Sequence, residues 1–330
     1  MIINLLGIMN LKSIRKLIDP DLQVVEGLIR ESLKSKVDLT QSIAEYVVAS
    51  GGKRVRAMLC VLSAKSIGYQ GGGHHLLAAI IELIHTATLL HDDVVDASDM
   101  RRGRPSANAI YGNMASVLCG DFLYSKAFEL MIELQRLPVL AELAHVSNTL
   151  AEGEMLQLKS CHNPDLTENE YYQIINQKTA ALFEASCKIP CLLDDTLTPF
   201  QETFQNYGKN LGFAFQIIDD ALDYMSETKI MGKDPGDDLS EGKMTLPLIY
   251  LLQHAKKEDQ TLVRKAIEEG DSTQLKKIQA LIRETSAFDY THKKAQEFVD
   301  AAKKSLSDIP DSVYKTALLE LSDMTINRNH

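Results

Sequence analysis

Two acidic motifs of the same form stand far apart in the chain, Asp92-Asp93-Val94-Val95-Asp96 and Asp219-Asp220-Ala221-Leu222-Asp223. Each closes an apolar run of helical period, "ELIHTATLLHDD" and "LGFAFQIIDD". At about 100° per residue, Asp92 and Asp96 lie within roughly 40° of one another and His85 projects between them. Gln216, Asp220 and Asp223 cluster in the same way, with Asp219 beside them. Two carboxylates about 5 Å apart repel by roughly 3 kcal/mol at an effective dielectric near 20. Such clusters, embedded in apolar helices, therefore require cations. Oxygen donors without cysteine or grouped histidine favour Mg²⁺ or Mn²⁺ over zinc. Magnesium is ordinarily held by one or two carboxylates together with phosphate oxygens, so a phosphorylated substrate is implied as well.

Basic residues follow the same logic. Gly51-Gly52-Lys53-Arg54-Val55-Arg56 reads as a glycine turn opening a helix, with backbone N–H groups and cationic side chains placed to receive an anion. Arg101 and Arg102 stand just beyond the first motif, Lys178 and Thr179 lie within an apolar helix, and Lys233 and Lys243 bracket the loop after the second motif. A solvated acidic helix end is the ordinary explanation of one such motif. Two copies, both in apolar helices and both followed by cations, point instead to diphosphates bridged by metal.

The elements that must position these groups are helices. Apolar residues recur at helical spacing in nearly every segment, as at Leu77, Ile80, Ile81 and Ile84, and no useful length of chain alternates apolar with polar residues. Breaks fall at "SGGKR", "YQGGGHH", "RRGRPS", "RLP", "HNPDLT" and "MGKDPGDDLSEGKMTLP". Helix starts are marked by Thr167 with Glu170, a capping box, and by Thr245-Leu246-Pro247. No linker divides the 330 residues, so one all-α domain is expected, with residues 1–20 as a loosely attached extension.

Composition narrows the function. A net charge of −10 without a basic stripe argues against a nucleic-acid partner. Five scattered cysteines with no CxxC pair read as reduced core thiols of a cytoplasmic protein. The apolar start "MIINLLGIMNLKSIRK" lacks a basic n-region and a small-residue cleavage site, and either Met1 or Met9 serves as a start. No apolar run reaches the roughly 20 residues of a membrane span.

The motifs "GGKRVR", "ELIHTATLLHDDVVDASDMRRG", "AEGEMLQL", "KTAALFEA", "FQIIDDALDY" and "GDDLSEGKMTLPL" resemble those of the trans-isoprenyl diphosphate synthases, from about Val25 to the C-terminus. The likeness is greatest to the long-chain bacterial branch that makes octaprenyl diphosphate for ubiquinone or menaquinone. It implies an all-α isoprenoid synthase fold, helices around a central cavity, and a homodimer. By motif, Asp92, Asp96, Asp219, Asp220 and Asp223, together with Asp93, would hold two or three Mg²⁺ ions, with Mn²⁺ able to substitute. Arg101, Lys178, Thr179, Gln216, Lys233 and Lys243 would contact the allylic diphosphate. Lys53, Arg56, His85 and Arg102 would hold isopentenyl diphosphate. Ala57 stands where the family usually has proline, and an Asp-Pro pair, Asp234-Pro235, interrupts the loop after Lys233.

The resemblance implies head-to-tail condensation, with farnesyl diphosphate as the primer and a C40 product; lengths from C20 to C50 are the alternatives. Product length would depend on Ala87 and Thr88, one turn before Asp92, where small residues leave room for a growing tail. Met131 and Leu143 would form the tunnel floor. Transient membrane contact would accompany product release. A class I terpene cyclase is the nearest rival, but it carries an Asn/Asp-Ser/Thr-Glu second motif and needs no "GGKRVR". A non-catalytic partner subunit would not retain both motifs, and no EF-hand loop supports simple Ca²⁺ binding.

Overall fold

In a computed structural model that describes residues 10–225 and 236–327, the helical period is realised almost throughout. Helices α1 (Leu11–Leu17), α2 (Asp19–Ser32), α3 (Asp38–Ala49) and α4 (Val55–Ser66) lead to α5 (Gly73–Val95). A two-residue hairpin, β1 (Met100–Arg101) with β2 (Arg104–Pro105), precedes α6 (Ala107–Tyr111), α7 (Asn113–Glu133) and α8 (Leu137–Ser160). Helix α9 (Glu168–Ile175) runs into a π-helical turn, Asn176–Ala180, which α10 (Ala181–Lys188) continues. Next come α11 (Gln201–Met225), α12 (Asp237–Ser240) and α13 (Leu246–His254). The chain finishes with α14 (Lys257–Glu269), α15 (Leu275–Glu284), α16 (Ala287–Ser305) and α17 (Val313–Ile326).

Helix α5 is apolar on nearly every side and is accordingly buried on nearly every side. Leu77, Ile80, Ile81, Leu83, Ile84, Ala87 and Leu90 are all fully enclosed, and the helix packs against α2, α4 and α7. It is long and apolar enough to cross a membrane, yet most of it lies inside the fold. Helix α11 is the second axis, set against α10, α16 and the π-helical turn.

The capping box at Thr167 and Glu170 forms as read, with Thr167 N–H donating to Glu170 Oε2 at 2.8 Å and Glu170 N–H donating to Thr167 Oγ1 at 3.3 Å. The described part of the expected loose extension departs from the reading. Ile14 and Ile18 are fully buried, because the amphipathic spacing of α1 and α2 seats them in the core. Arg15 Nη1 also donates to the carbonyl of Lys53 at 3.3 Å.

The hairpin was not legible either. Arg102 and Gly103 both take positive φ, 52° and 76°, as a two-residue hairpin turn of the primed type requires. Arginine at the first of those positions gives no turn signal.

Two glycines explain how the π-helical turn reaches its position. A Cβ on Gly153 of α8 would lie 2.6 Å from the Lys178 nitrogen, and one on Gly212 of α11 would lie 2.6 Å from the Ala180 Cα. The turn is therefore clamped between two backbones that only glycine allows this close. Replacing Gly153 with Ala is expected to destabilise the protein by about 1–3 kcal/mol, the usual cost of overpacking. Thermal denaturation checks it, and an unchanged midpoint would mean that the clamp is not tight.

Candidate active site

The C-terminal ends of α5 and α11 border one cavity of ≈ 410 Å³. Asp92 and Asp96 line it from the first helix, and Gln216, Asp219, Asp220 and Asp223 from the second. Lys178, Thr179 and Lys243 complete that half, Lys53, Arg56, His85 and Arg102 line the other, and Arg101 stands between them, acting on both Asp92 and His85. Thr88 also faces the cavity. Lys233 lies outside the described residues.

Other candidates sit apart from the cavity wall. Asp93 is buried and accepts a hydrogen bond from Arg101 Nε at 2.5 Å, so it orients that arginine. Ala87 is fully buried in the core beside the site, as are Met131 of α7 and Leu143 of α8.

The carboxylates carry the signature of crowded negative charge. Burial, only partly offset by Lys178, pushes the Asp92 carboxyl up to about 7. Burial and then the neighbouring Asp238 raise Asp220 to about 8, against hydrogen bonds from Tyr171 and Gln216 that pull the other way. Burial and Asp238 likewise raise Asp223 to about 8, although the backbone N–H groups of Gly236 and Asp238 each donate to it at 3.2 Å.

These groups fit divalent cations well. All the donors are oxygens, they sit at the C-terminal ends of two helices, where the helix dipole is negative, and the carboxyls of Asp92, Asp220 and Asp223 are raised for want of another positive charge. Asp92, Asp96, Asp219, Asp220 and Asp223 are the residues that would hold such ions.

Cations in this half are held by carboxylates. Lys178 Nζ pairs with Glu154 at 2.8 Å. Lys243 Nζ pairs with Asp96 at 3.3 Å and with Glu241. Burial alone would lower both ammonium groups; Asp92 and Glu154 outweigh it at Lys178, and Asp238, Asp96 and Glu241 outweigh it at Lys243. Both lysines are therefore charged and within reach of an incoming anion.

A chain of hydrogen bonds fixes the second motif. Thr179 Oγ1 donates to Gln216 Oε1 at 2.8 Å, Gln216 Nε2 donates to Asp220 Oδ1 at 2.6 Å, and Tyr171 O–H donates to Asp220 Oδ2 at 2.6 Å.

The other half is built from cations with a neutral histidine. Burial, then Arg56, Arg102 and Arg101, hold His85 well below the usual imidazole range. Its Nε2 lies 3.2 Å from Arg56 Nη1 and must accept, since a guanidinium only donates. Arg56 stacks 4.5 Å above the Phe183 ring. Arg102 lies against Gly52, whose absent Cβ would meet the guanidinium at 3.0 Å.

Glu154, Tyr171 and Asp238 line the cavity and were missed as functional residues. Glu154 lay inside the quoted "AEGEMLQL" and Asp238 inside "GDDLSEGK", so a search for carboxylates in the unassigned motifs would have found both. Tyr171 carries no local signal.

Residues 37–285 match the polyprenyl synthetase family. The chain is 44% identical over 322 residues to the octaprenyl diphosphate synthase of Escherichia coli (strain K12), covering 97% of this chain and 100% of that protein. It is 43% identical over 309 residues to the all-trans-nonaprenyl-diphosphate synthase (geranyl-diphosphate specific) of Rhodobacter capsulatus, covering 93% and 95% of the two chains. The polyprenyl synthase of Caulobacter crescentus CB15, solved in complex with calcium and isoprenyl diphosphate, superposes with a TM-score of 0.93 at 38% identity, over 99% of this chain and 100% of that one. The chain belongs to the polyprenyl synthetase family, and it is a prenyltransferase with the all-α isoprenoid synthase fold.

The raised carboxyl groups give a pH dependence with a definite sign. A folded-state pKa above the ordinary Asp value of 3.8 contributes stability that is lost as pH rises through the folded value. Without divalent ions, the part of the stability due to Asp92, Asp220 and Asp223 falls as pH rises from about 4 to about 8. Mg²⁺ is expected to restore it, with a larger melting-temperature rise at pH 8.5 than at pH 6. Thermal shift at both pH values checks this; an equal rise at the two would contradict the assignment.

Proposed function

We propose that the chain condenses isopentenyl diphosphate with an allylic diphosphate, farnesyl diphosphate, to build an all-trans octaprenyl (C40) diphosphate for a quinone side chain. The observation that carries this reading is the division of one cavity into a carboxylate-rich half and a cation-rich half. Two anionic substrates need two such places, whereas a one-substrate cyclase needs one.

In this reading, Asp92, Asp96, Asp219, Asp220 and Asp223 would hold two or three Mg²⁺ ions, or Mn²⁺, which would supply positive charge to the departing diphosphate. Lys178, Lys243 and Arg101 donate to the allylic diphosphate oxygens, with Thr179 and Gln216 beside them, and Lys233, outside the described residues, is assigned to the same diphosphate by its motif alone. Lys53, Arg56, His85 and Arg102 hold isopentenyl diphosphate, and neutral His85 also accepts from Arg56. The C1–O bond of the allylic substrate breaks and C1 is attacked by the double bond of isopentenyl diphosphate. The proton lost from C2 passes to the departing pyrophosphate. Leu89, Leu150 and Phe215 keep water from the cation that forms.

The growing tail would pass Thr88 and the small Ala87 toward Met131 and Leu143. The expected outcome of incubating the protein with farnesyl diphosphate, isopentenyl diphosphate and Mg²⁺ is pyrophosphate release and a C40 chain after dephosphorylation and chromatography. Ala87→Phe should release shorter chains at comparable total turnover. No pyrophosphate from the unaltered protein would end the synthase reading, and unchanged chain length in the variant would end the tunnel assignment.

A homodimer in the cytoplasm is part of the same proposal. Helices α7 and α8 expose Met114, Leu118, Ile132 and Met155, each about two-thirds exposed or more, on an outer apolar surface that a second copy would cover. Ile132→Glu is expected to shift the protein from dimer to monomer in light scattering; a monomeric unaltered protein would refute the interface.

A further inference from the structure

Arg54 stands between two residues assigned to isopentenyl diphosphate, yet neither it nor its partner Glu82 lines the cavity. Its backbone is left-handed, φ 51° and ψ 37°, at the position that caps α4. A bulky residue does not adopt this conformation without support. The support is an ion pair on each side of the guanidinium, the one to Glu82 buried and the one to Glu26 partly exposed. Arg54 Nε lies 3.0 Å from Glu26 Oε1 on α2, and Nη1 lies 3.0 Å from Glu82 Oε2 on α5, with the Arg54 and Glu82 side chains 10% and 4% exposed.

The second oxygen of Glu82 does something else. Glu82 Oε1 accepts from the Ala57 N–H at 3.2 Å, and Ala57 is the third residue of α4. A side-chain oxygen normally caps the third residue from the position that opens the helix itself. Here Arg54 supplies no cap and a carboxylate from a neighbouring helix takes the place. One side chain of α5 thereby fixes both the strained turn before α4 and one of the free N–H groups of its first turn, and its negative charge suits the helix N-terminus.

Lys53 and Arg56 project from that turn and first helical residues, while His85, which contacts Arg56, lies one turn after Glu82 on α5. The register between Lys53, Arg56 and His85 therefore passes through Glu82. A buried pair of this kind adds little net stability and is retained where it fixes one geometry among several.

We propose that Glu82, bridged through Arg54 to Glu26, is a positioning residue for isopentenyl diphosphate. It presets the Gly51–Arg54 turn so that Lys53 and Arg56 meet the diphosphate without rearrangement. The inference rests on the assignment of Lys53, Arg56, His85 and Arg102 to that substrate.

Steady-state kinetics of the full chain, with each substrate varied separately, test it. Glu82→Ala should raise the KM for isopentenyl diphosphate about tenfold, a loss near that of one buried charged hydrogen bond, and leave the KM for the allylic diphosphate within about twofold. Glu82→Gln keeps an oxygen for the Ala57 N–H and should recover much of the difference. Glu26→Gln, at the exposed end of the bridge, should give a smaller rise of about threefold and supplies the readout if Glu82→Ala does not fold.

Equal increases in both KM values would overturn the proposal, as would an unchanged KM for isopentenyl diphosphate in Glu82→Ala or, where that variant does not fold, in Glu26→Gln. Arg56→Ala separates the two levels of inference. If it raises the KM for isopentenyl diphosphate and the Glu82 and Glu26 variants do not, only the positioning role fails. If Arg56→Ala itself has no such effect, the substrate assignment falls and the positioning role with it.

Discussion

Like charges held close together in one partly buried cavity are the constraint around which this molecule is organised. Asp92, Asp96, Asp219, Asp220 and Asp223 border it with Glu154 and Asp238 beside them, and the burial of Asp92, Asp220 and Asp223 makes the repulsion they feel stronger than it would be in water. Three devices offset it: protons retained on Asp92, Asp220 and Asp223, ammonium groups brought in as Lys178 and Lys243, and short hydrogen bonds from Tyr171 and Gln216. Divalent cations can replace the protons and release the two ammonium groups to meet a diphosphate. A site that is uncomfortable when empty is thereby made receptive to a metal-bound anion.

That demand reaches well into the scaffold. Both acidic motifs end long helices, so a cation held by their carboxylates would also lie at the negative end of two helix dipoles. Lys178 reaches the cavity from a π-helical turn, a local departure from α geometry that proteins tend to place at functional sites. Gly153 and Gly212 allow that turn to be pressed between α8 and α11. Across the cavity the problem has the opposite sign, since Arg56, Arg101 and Arg102 crowd a neutral His85. Buried Glu82 and Asp93 stand behind that cluster and hold its arginine-bearing segments in place.

Much of this was legible because its signals are local. Asp92 and Asp96 share a helical face through spacing alone, and the apolar runs before both motifs match the two helices that bury them. The Thr167 and Glu170 capping box needs only four residues. Less local features escaped. The Arg102-Gly103 turn shows no usual hairpin pair, and Arg102 is held in its left-handed conformation beside a loop some fifty residues earlier. Asp93 reads as a third ligand of its motif, yet a rotation of about 100° from Asp92 aims it at Arg101. Ile14 and Ile18 read as a loose start until their apolar faces meet the core.

What the sequence determined by itself was the set of charges and the periodic frame that carries them: two acidic clusters, the cations to answer them, and helices throughout. Periodicity and short-range spacing encode these, because a helix places residues three and four apart on one face whatever surrounds it. Only the tertiary structure decided which carboxylate meets which cation, which histidine stays neutral, and that Glu82, Glu154 and Tyr171 belong to the site or its support. Those outcomes depend on burial and on distances between helices far apart in the chain. Charge energy changes steeply with both, and neither is written in any local stretch of residues.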